Sequence, residues 1–314
     1  MEAYALLLEL IFFFTTIVGL SGNLTVLFTL LRIVYGAYTF MKAEVILSHL
    51  AWANLLVCLT QGVPHSLYVI GVRYLFTDVM CKILLFVFRT SRALAIMFTC
   101  LLSCFQCTTI AQNTEKWLNM KFLMQKYMLL FFIAVYVVSM VTSANLPMFT
   151  VGSRNITALK YTFNLGYCLV IYPDQLSIQG VGFGIFGRDL MIVFIMATAS
   201  TYILLILHRH GKQVAVIRNA QNNKERNAEA QAAKTVVTLV IVYVTLFGLD
   251  CLIWFYQIIV STEVHPMVSS TRYYLTMCYS TAVPIVIMVF NKKIRHKLQT
   301  YLNKKKANLK DISK

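Results

Sequence analysis

Residues 127–150, YMLLFFIAVYVVSMVTSANLPMFT, run for 24 positions without a charged side chain. That exceeds the roughly 20 residues an α-helix needs to cross the hydrocarbon of a bilayer. Similar apolar stretches recur before and after it, at about 5–31, 45–70, 82–111, 185–208, 235–260 and 271–290. Seven spans joined by short polar segments predict an all-α membrane protein, a seven-transmembrane helix bundle. Composition agrees, because 59% of the 314 residues are hydrophobic and only 13% are charged. A soluble globule has no core able to hide that proportion. The stretch from Ala5 is too long for a cleavable signal peptide, lacks a basic leading region and runs through Asn23. It reads as a retained signal anchor.

Lysine and arginine set the expected orientation. The gaps 32–44, 112–126 and 209–234, with the tail after Asn291, hold 20 of the 28 basic residues. The alternate loops and helix mouths hold Arg73, Lys82, Arg154, Lys160, Arg188 and Arg272, and only Arg89 and Arg92 fall inside a span. The positive-inside rule then predicts an outer amino terminus and a cytoplasmic carboxyl tail in the plasma membrane. The net charge of +16 becomes a charge on the cytoplasmic face, suited to anionic membrane lipid rather than nucleic acid. The chain divides into a seven-span membrane domain, 1–291, and a polybasic tail, 292–314. Within the tail Ile294, Leu298, Tyr301 and Leu302 recur at helical spacing. This pattern fits a short amphipathic helix on the inner leaflet, and the alternative is a solvated, disordered tail.

Local features test the topology. Asn155-Ile156-Thr157 is a glycosylation acceptor in the long segment 151–184, which the charge rule places outside. Asn23-Leu24-Thr25 has the same pattern but sits within the first span and is expected to stay unmodified. Of the eight cysteines only Cys81 and Cys168 fall on the outer side, where oxidising conditions permit a bridge. The other six read as small apolar packing residues, and no metal-site spacing is present. Pro147 is placed to end or kink the fourth helix.

Particular runs carry a family resemblance. Phe88-Arg89-Thr90-Ser91-Arg92-Ala93, then Thr99 through Gln106, Thr108-Thr109-Ile110 and Trp117, resemble the third helix and following loop of vomeronasal type-1 receptors and their olfactory relatives. The same order continues through Asn155-Ile156-Thr157, Tyr167-Cys168, Arg188-Asp189-Leu190, Tyr202 to Leu207, Arg209-His210, Lys212-Gln213-Val214, Leu249-Asp250, Cys278-Tyr279 and Pro284. The resemblance implies a G-protein-coupled receptor of chemosensory neurons. Such a receptor detects a small organic odorant or pheromone and acts on a heterotrimeric G protein of the inhibitory or Go class, with no cofactor. Asn23 and Pro284 match the broader rhodopsin-like pattern. Phe105-Gln106-Cys107 replaces its acid-Arg-Tyr, Asn54 its Asp, and Val283-Pro284-Ile285-Val286-Ile287 its Asn-Pro-x-x-Tyr. The usual ionic lock and sodium site therefore do not transfer. Thr108, Thr109, Arg209, His210 and Lys234, with the tail lysines, are the expected G-protein contacts.

Ligand chemistry turns on the intramembrane arginines. Arg89 and Arg92 are three residues apart and share one helix face. An unpartnered guanidinium in a membrane costs several kcal/mol, on the order of 3 or more, so each requires a partner. Either they pair permanently with Asp250, Asp189, Glu9 or backbone carbonyls, or at least one faces the cavity and binds an anionic ligand group through two parallel hydrogen bonds. Expected companions are Tyr68 and His65 on the second helix, Arg188 and Asp189 on the fifth, Asp250, Trp254 and Gln257 on the sixth, and Arg272 and Tyr273 on the seventh. For each, ordinary interhelical packing is the alternative role.

Other classes fit less well. A retinal-type light sensor needs a lysine in 271–290, which has none. A transporter or channel calls for inverted repeats or several broken helices. An enzyme lacks support, since the six histidines form no HExxH pair and no nucleophile motif accompanies them. Bitter-taste receptors, which also lack the usual inner motifs, are the nearest competitor.

Overall fold

The computed structural model describes residues 2–36, 42–72, 75–111, 115–152, 162–214, 223–259, 266–291, 293–300 and 303. The helices are α1 (Glu2–Gly36), α2 (Lys42–Val57), α3 (Val63–Val69), α4 (Asp78–Ile110), α5 (Glu115–Lys126), α6 (Met128–Ser143), α7 (Gln175–Val214), α8 (Asn223–Ile259) and α9 (Pro266–Phe290). A short helix, α10 (Lys293–Thr300), follows at 83° to the end of α9. Among the described residues six helical stretches are long and apolar enough to cross a membrane, or seven if the bent pair of α9 and α10 counts as one span. The chain is a multi-pass membrane protein.

Prolines shape three of the spans. The second runs from α2 into α3 through a π-helical segment, Cys58–Gly62, where Val63 N–H donates to the carbonyl of Cys58. Pro64 follows immediately and has no N–H to donate, so the wider turn absorbs its missing bond without ending the helix. In α6 the effect is stronger. The helix stops at Ser143, and Leu146–Phe149, with Pro147, form a 3₁₀ turn before strand β1 (Thr150–Gly152). The span expected at about 127–150 is observed at Met128–Phe149, with its α-helical part ending at Ser143 before the turn that contains Pro147. In α9, Pro284 frees the carbonyl of Ser280, and Asn23 Nδ2 on α1 donates to that oxygen at 2.9 Å. Gly22 permits the approach, since a Cβ there would lie 2.9 Å from Pro284 Cγ. Asn23 is fully buried in this contact.

The helix α7 begins ten residues before the expected 185. Asp174 accepts from Ser177 N–H at 2.7 Å and starts the helix there. That bond also holds the Asp174 carboxyl below its usual pKa.

The helix α4 is the axis of the bundle, packing against α2, α6, α7 and α8. The main core gathers Leu50, Leu94, Phe98, Leu102, Met196, Leu239 and Val283 from α2, α4, α7, α8 and α9. Over one end lies a three-stranded antiparallel sheet ordered β1-β3-β2, with β2 at Thr162–Asn164 and β3 at Cys168–Ile171. Cys81 at the start of α4 is bonded to Cys168, with Cα atoms 5.8 Å apart. Gly152 N–H donates to Asp78 Oδ1 at 2.7 Å, a second tie between sheet and α4. At Gly166, φ is +85° and a Cβ would meet the Tyr68 ring at 2.5 Å, so the turn between β2 and β3 requires glycine.

Candidate ligand-binding site

Beneath the disulfide-bonded sheet a cavity of about 250 Å³ opens between α4, α7, α8 and α9. Its upper wall is apolar, built by Leu85, Leu146, Phe163, Leu165, Val170, Ile178 and Val181. Its floor is charged. Arg89, Arg92, Arg188 and Arg272 line it with Asp189 and Asp250, four formal positive charges against two negative.

Asp250 is the hub of that floor. Its Oδ2 accepts from Arg92 Nη2 at 3.0 Å, and its Oδ1 accepts from Arg272 Nε at 2.7 Å. A second contact from Arg272, Nη2 to Oδ2 at 3.3 Å, makes that pair two-pronged. One carboxylate therefore joins α4, α8 and α9. The Asp250 side chain is 10% exposed, whereas those of Arg92 and Arg272 keep 33% and 28% open to the cavity. A separate pair lies on α7, where Asp189 Oδ1 accepts from Arg188 Nη2 at 2.7 Å. Arg188 Nη1 also donates to Thr142 Oγ1 on α6 at 2.8 Å.

Arg89 is arranged differently. Its Nη1 donates to Asn145 Oδ1, a neutral acceptor, at 3.4 Å, and Tyr172 lines the cavity beside it. Burial pushes the Tyr172 phenol above its usual pKa while Arg89 pulls the other way. Among the described residues Arg89 has no carboxylate partner, and neither arginine pairs with Glu9.

Arg89, Arg92, Asp189 and Asp250, with companions Arg188 and Arg272, thus meet at one cavity. Tyr68 does not line it; its ring packs on Gly166 beneath the sheet. His65 also lies elsewhere, edge-on to Phe12 with centroids 4.5 Å apart. For Trp254, Gln257 and Tyr273 only the helical backbone is described, and Asn155 lies outside the described residues. The sequence reading missed Asn145, Thr142 and Tyr172. A neutral polar residue carries no sequence signal for its partner, because hydrogen bonding depends on which helix end or strand comes to face it.

At the opposite, basic end Thr108 is buried and donates to the carbonyl of Phe105, with its hydroxyl 3.6 Å from Met124 Sδ. Thr109 donates to the same carbonyl and is half-buried, while Lys234 is exposed. Arg209 and His210 are described only as helical backbone. Trp117 on α5 stacks on Tyr202 of α7, with centroids 5.0 Å apart. Lys293 Nζ on α10 donates to buried Glu44 Oε1 at 3.1 Å.

Six apolar spans, or seven with the bent pair, around a lined cavity capped by a disulfide-bonded sheet are consistent with a membrane receptor of the G-protein-coupled class. The sequence profile of the vomeronasal organ pheromone receptor family matches residues 7–300. The chain belongs to that family. It is 35% identical to olfactory receptor class A-like protein 1 of Danio rerio over 281 residues, covering 89% of this chain and 88% of that one. It is 26% identical to vomeronasal type-1 receptor 4 of Homo sapiens over 87% of this chain and 90% of the relative. Human vomeronasal type-1 receptor 2 shares 27% identity over 88% of this chain and 69% of its own length. Members of this family are receptors rather than enzymes, and the protein is a chemosensory G-protein-coupled receptor with small ligands and G proteins as partners.

Proposed function

We propose that this receptor detects a small organic odorant or pheromone, anionic in charge, at the surface of chemosensory neurons and activates an inhibitory- or Go-class G protein. The observation that carries the reading is the cavity itself, an apolar wall above a floor on which Arg89, among the described residues, meets no carboxylate. A carboxylate-bearing organic molecule complements both surfaces. Its entry shifts the receptor toward the active arrangement only if it binds that arrangement more tightly than the inactive one. The amino terminus and the disulfide-bonded sheet face outward, with Asn155 glycosylated in the same loop. The basic end faces the cytoplasm, where Thr108, Thr109, Arg209, His210 and Lys234 surround the G-protein cleft. The tail from 292 forms a separate polybasic segment, whose helix holds Ile294 in the bundle core and turns its lysines and Leu298 toward the inner leaflet.

The test is nucleotide exchange on Go and inhibitory heterotrimers in proteoliposomes containing the receptor, with small carboxylic acids, amines, steroids and neutral odorants. Acid-dependent exchange is expected. Exchange unaltered by every saturating compound refutes the proposal.

A further inference from the structure

We infer that Arg89, with Asn145 and Tyr172, forms the subsite that reads the ligand's anionic group, that this group is a carboxylate on a compact apolar body, and that Arg92 acts instead as an internal brace. The inference rests on the receptor reading above and assigns separate roles to two arginines that the sequence presents as equivalents.

Three of the cavity's four arginines already have a carboxylate. Arg92 and Arg272 share Asp250, and Arg188 holds Asp189. Arg89 has a long hydrogen bond to the neutral Asn145 amide, and Tyr172 lines the cavity beside it. A guanidinium carries five N–H donors in a planar fork, so these contacts leave donors for an incoming acceptor. The charged groups acting on Arg89 besides are Arg92 and Arg188, both cations. A guanidinium in such surroundings gains most from a delivered negative charge. Carboxylate matches the fork with two parallel bonds, and the Tyr172 hydroxyl adds a third donor from the end of β3.

Position supports the assignment. Arg89 lies one turn from Leu85 on α4, facing the apolar part of the wall, whereas Arg92 lies deeper beside Asp250. A ligand whose carboxylate sits on Arg89 places its apolar body against Leu85, Val170, Ile178 and Val181. At about 250 Å³ the space is below the usual range for drug-sized ligands, so that body is small. The same contact links α4 to the end of α6 and to β3, joining the ligand to the sheet that covers the cavity.

The experiment measures thermal stability of the purified full-length receptor in nanodiscs with benzoate and cyclohexanecarboxylate, each against its primary amide. In wild type the acids raise Tm with concentration in the millimolar range and the amides do not. Arg89→Gln weakens the apparent affinity for the acids by about tenfold or more. Arg92→Gln, which leaves the Asp250–Arg272 pair in place, keeps it within about threefold. Asn145→Asp guards against misfolding of Arg89→Gln: it sets a carboxylate on Arg89 within the chain, so the protein folds and the acids no longer stabilise it. The inference is overturned if Arg89→Gln binds acids as wild type does, if Arg92→Gln alone loses them, if amides match acids, or if no acid stabilises wild type. Nucleotide exchange on the same samples separates the two readings. Acids that bind through Arg89 without driving exchange refute the signalling proposal and leave the subsite standing, whereas neutral compounds that drive exchange while acids do not bind refute the subsite and the anionic ligand but leave G-protein signalling standing.

Discussion

Replacing Asp250 by Asn removes the one negative charge that joins α4, α8 and α9. Arg92 and Arg272 reach it at 3.0 and 2.7 Å. With charge centres about 4 Å apart and an effective dielectric constant of about 20, each pair contributes about 4 kcal/mol of attraction. Dehydrating the carboxylate offsets about 4 kcal/mol of the combined 8, and the Asn oxygen retains a hydrogen bond of about 1 kcal/mol. The remaining loss is about 3 kcal/mol, at the low end for breaking a buried pair, as the partly open arginines require. Asp250→Asn is therefore expected to lower Tm in nanodiscs by several degrees and to reduce the fraction of chains at the cell surface. Arg272→Gln and Arg92→Gln each cost less, because one arginine still neutralises Asp250, and Arg272→Gln costs the more since it loses a two-pronged contact. The double variant Asp250→Asn with Arg92→Gln recovers part of the loss by removing Arg92, a cation that the lost carboxylate had balanced. A Tm for Asp250→Asn equal to wild type, or strict additivity in the double variant, refutes this account of the hub.

Three further outcomes follow from the covering sheet and the helix it leads into. Opening the Cys81–Cys168 bridge with a Ser at either position releases an 87-residue separation, worth at most about 4.6 kcal/mol of chain entropy, and limited proteolysis should then cut the 150–172 region faster; an unchanged cleavage rate would contradict the role of the bridge. Gly166→Ala is expected to cost about 1–3 kcal/mol in thermal unfolding through its left-handed φ and the collision with Tyr68. Gly71→Ala, with φ of +99° but open space around it, should cost less, and equal costs would show that the Tyr68 contact is irrelevant. The lowered pKa of Asp174 means that its contribution is present above the ordinary carboxylate range and is lost as pH falls through the depressed value. The protection of the Ser177 amide, taken relative to its intrinsic exchange rate at each pH, should fall on acidification in wild type and show no such pH step in Asp174→Asn.

The membrane-spanning character of this chain was legible in its sequence because a bilayer imposes a length and an apolarity that each helix must meet alone. The Cys81–Cys168 pair was legible for a similar reason, since thiols on the outer side bring their own constraint, whereas the contact of Asn23 with the carbonyl freed by Pro284 was not. Helix limits were legible only in part. Pro147 announced a break, but the start of α7 at Gln175 depended on Asp174 meeting Ser177, a bond of ordinary residues in an ordinary loop. The presence of Arg89 and Arg92 in a span, three residues apart, also followed from sequence alone. Which of them has a carboxylate did not. Their spacing makes them neighbours on α4, yet one meets Asp250, 158 positions away, and the other meets Asn145 on a different helix end. Hydrophobicity acts on each segment by itself, whereas charge pairing depends on distance between segments, and only the packing of α4 against α6, α8 and α9 determined those distances.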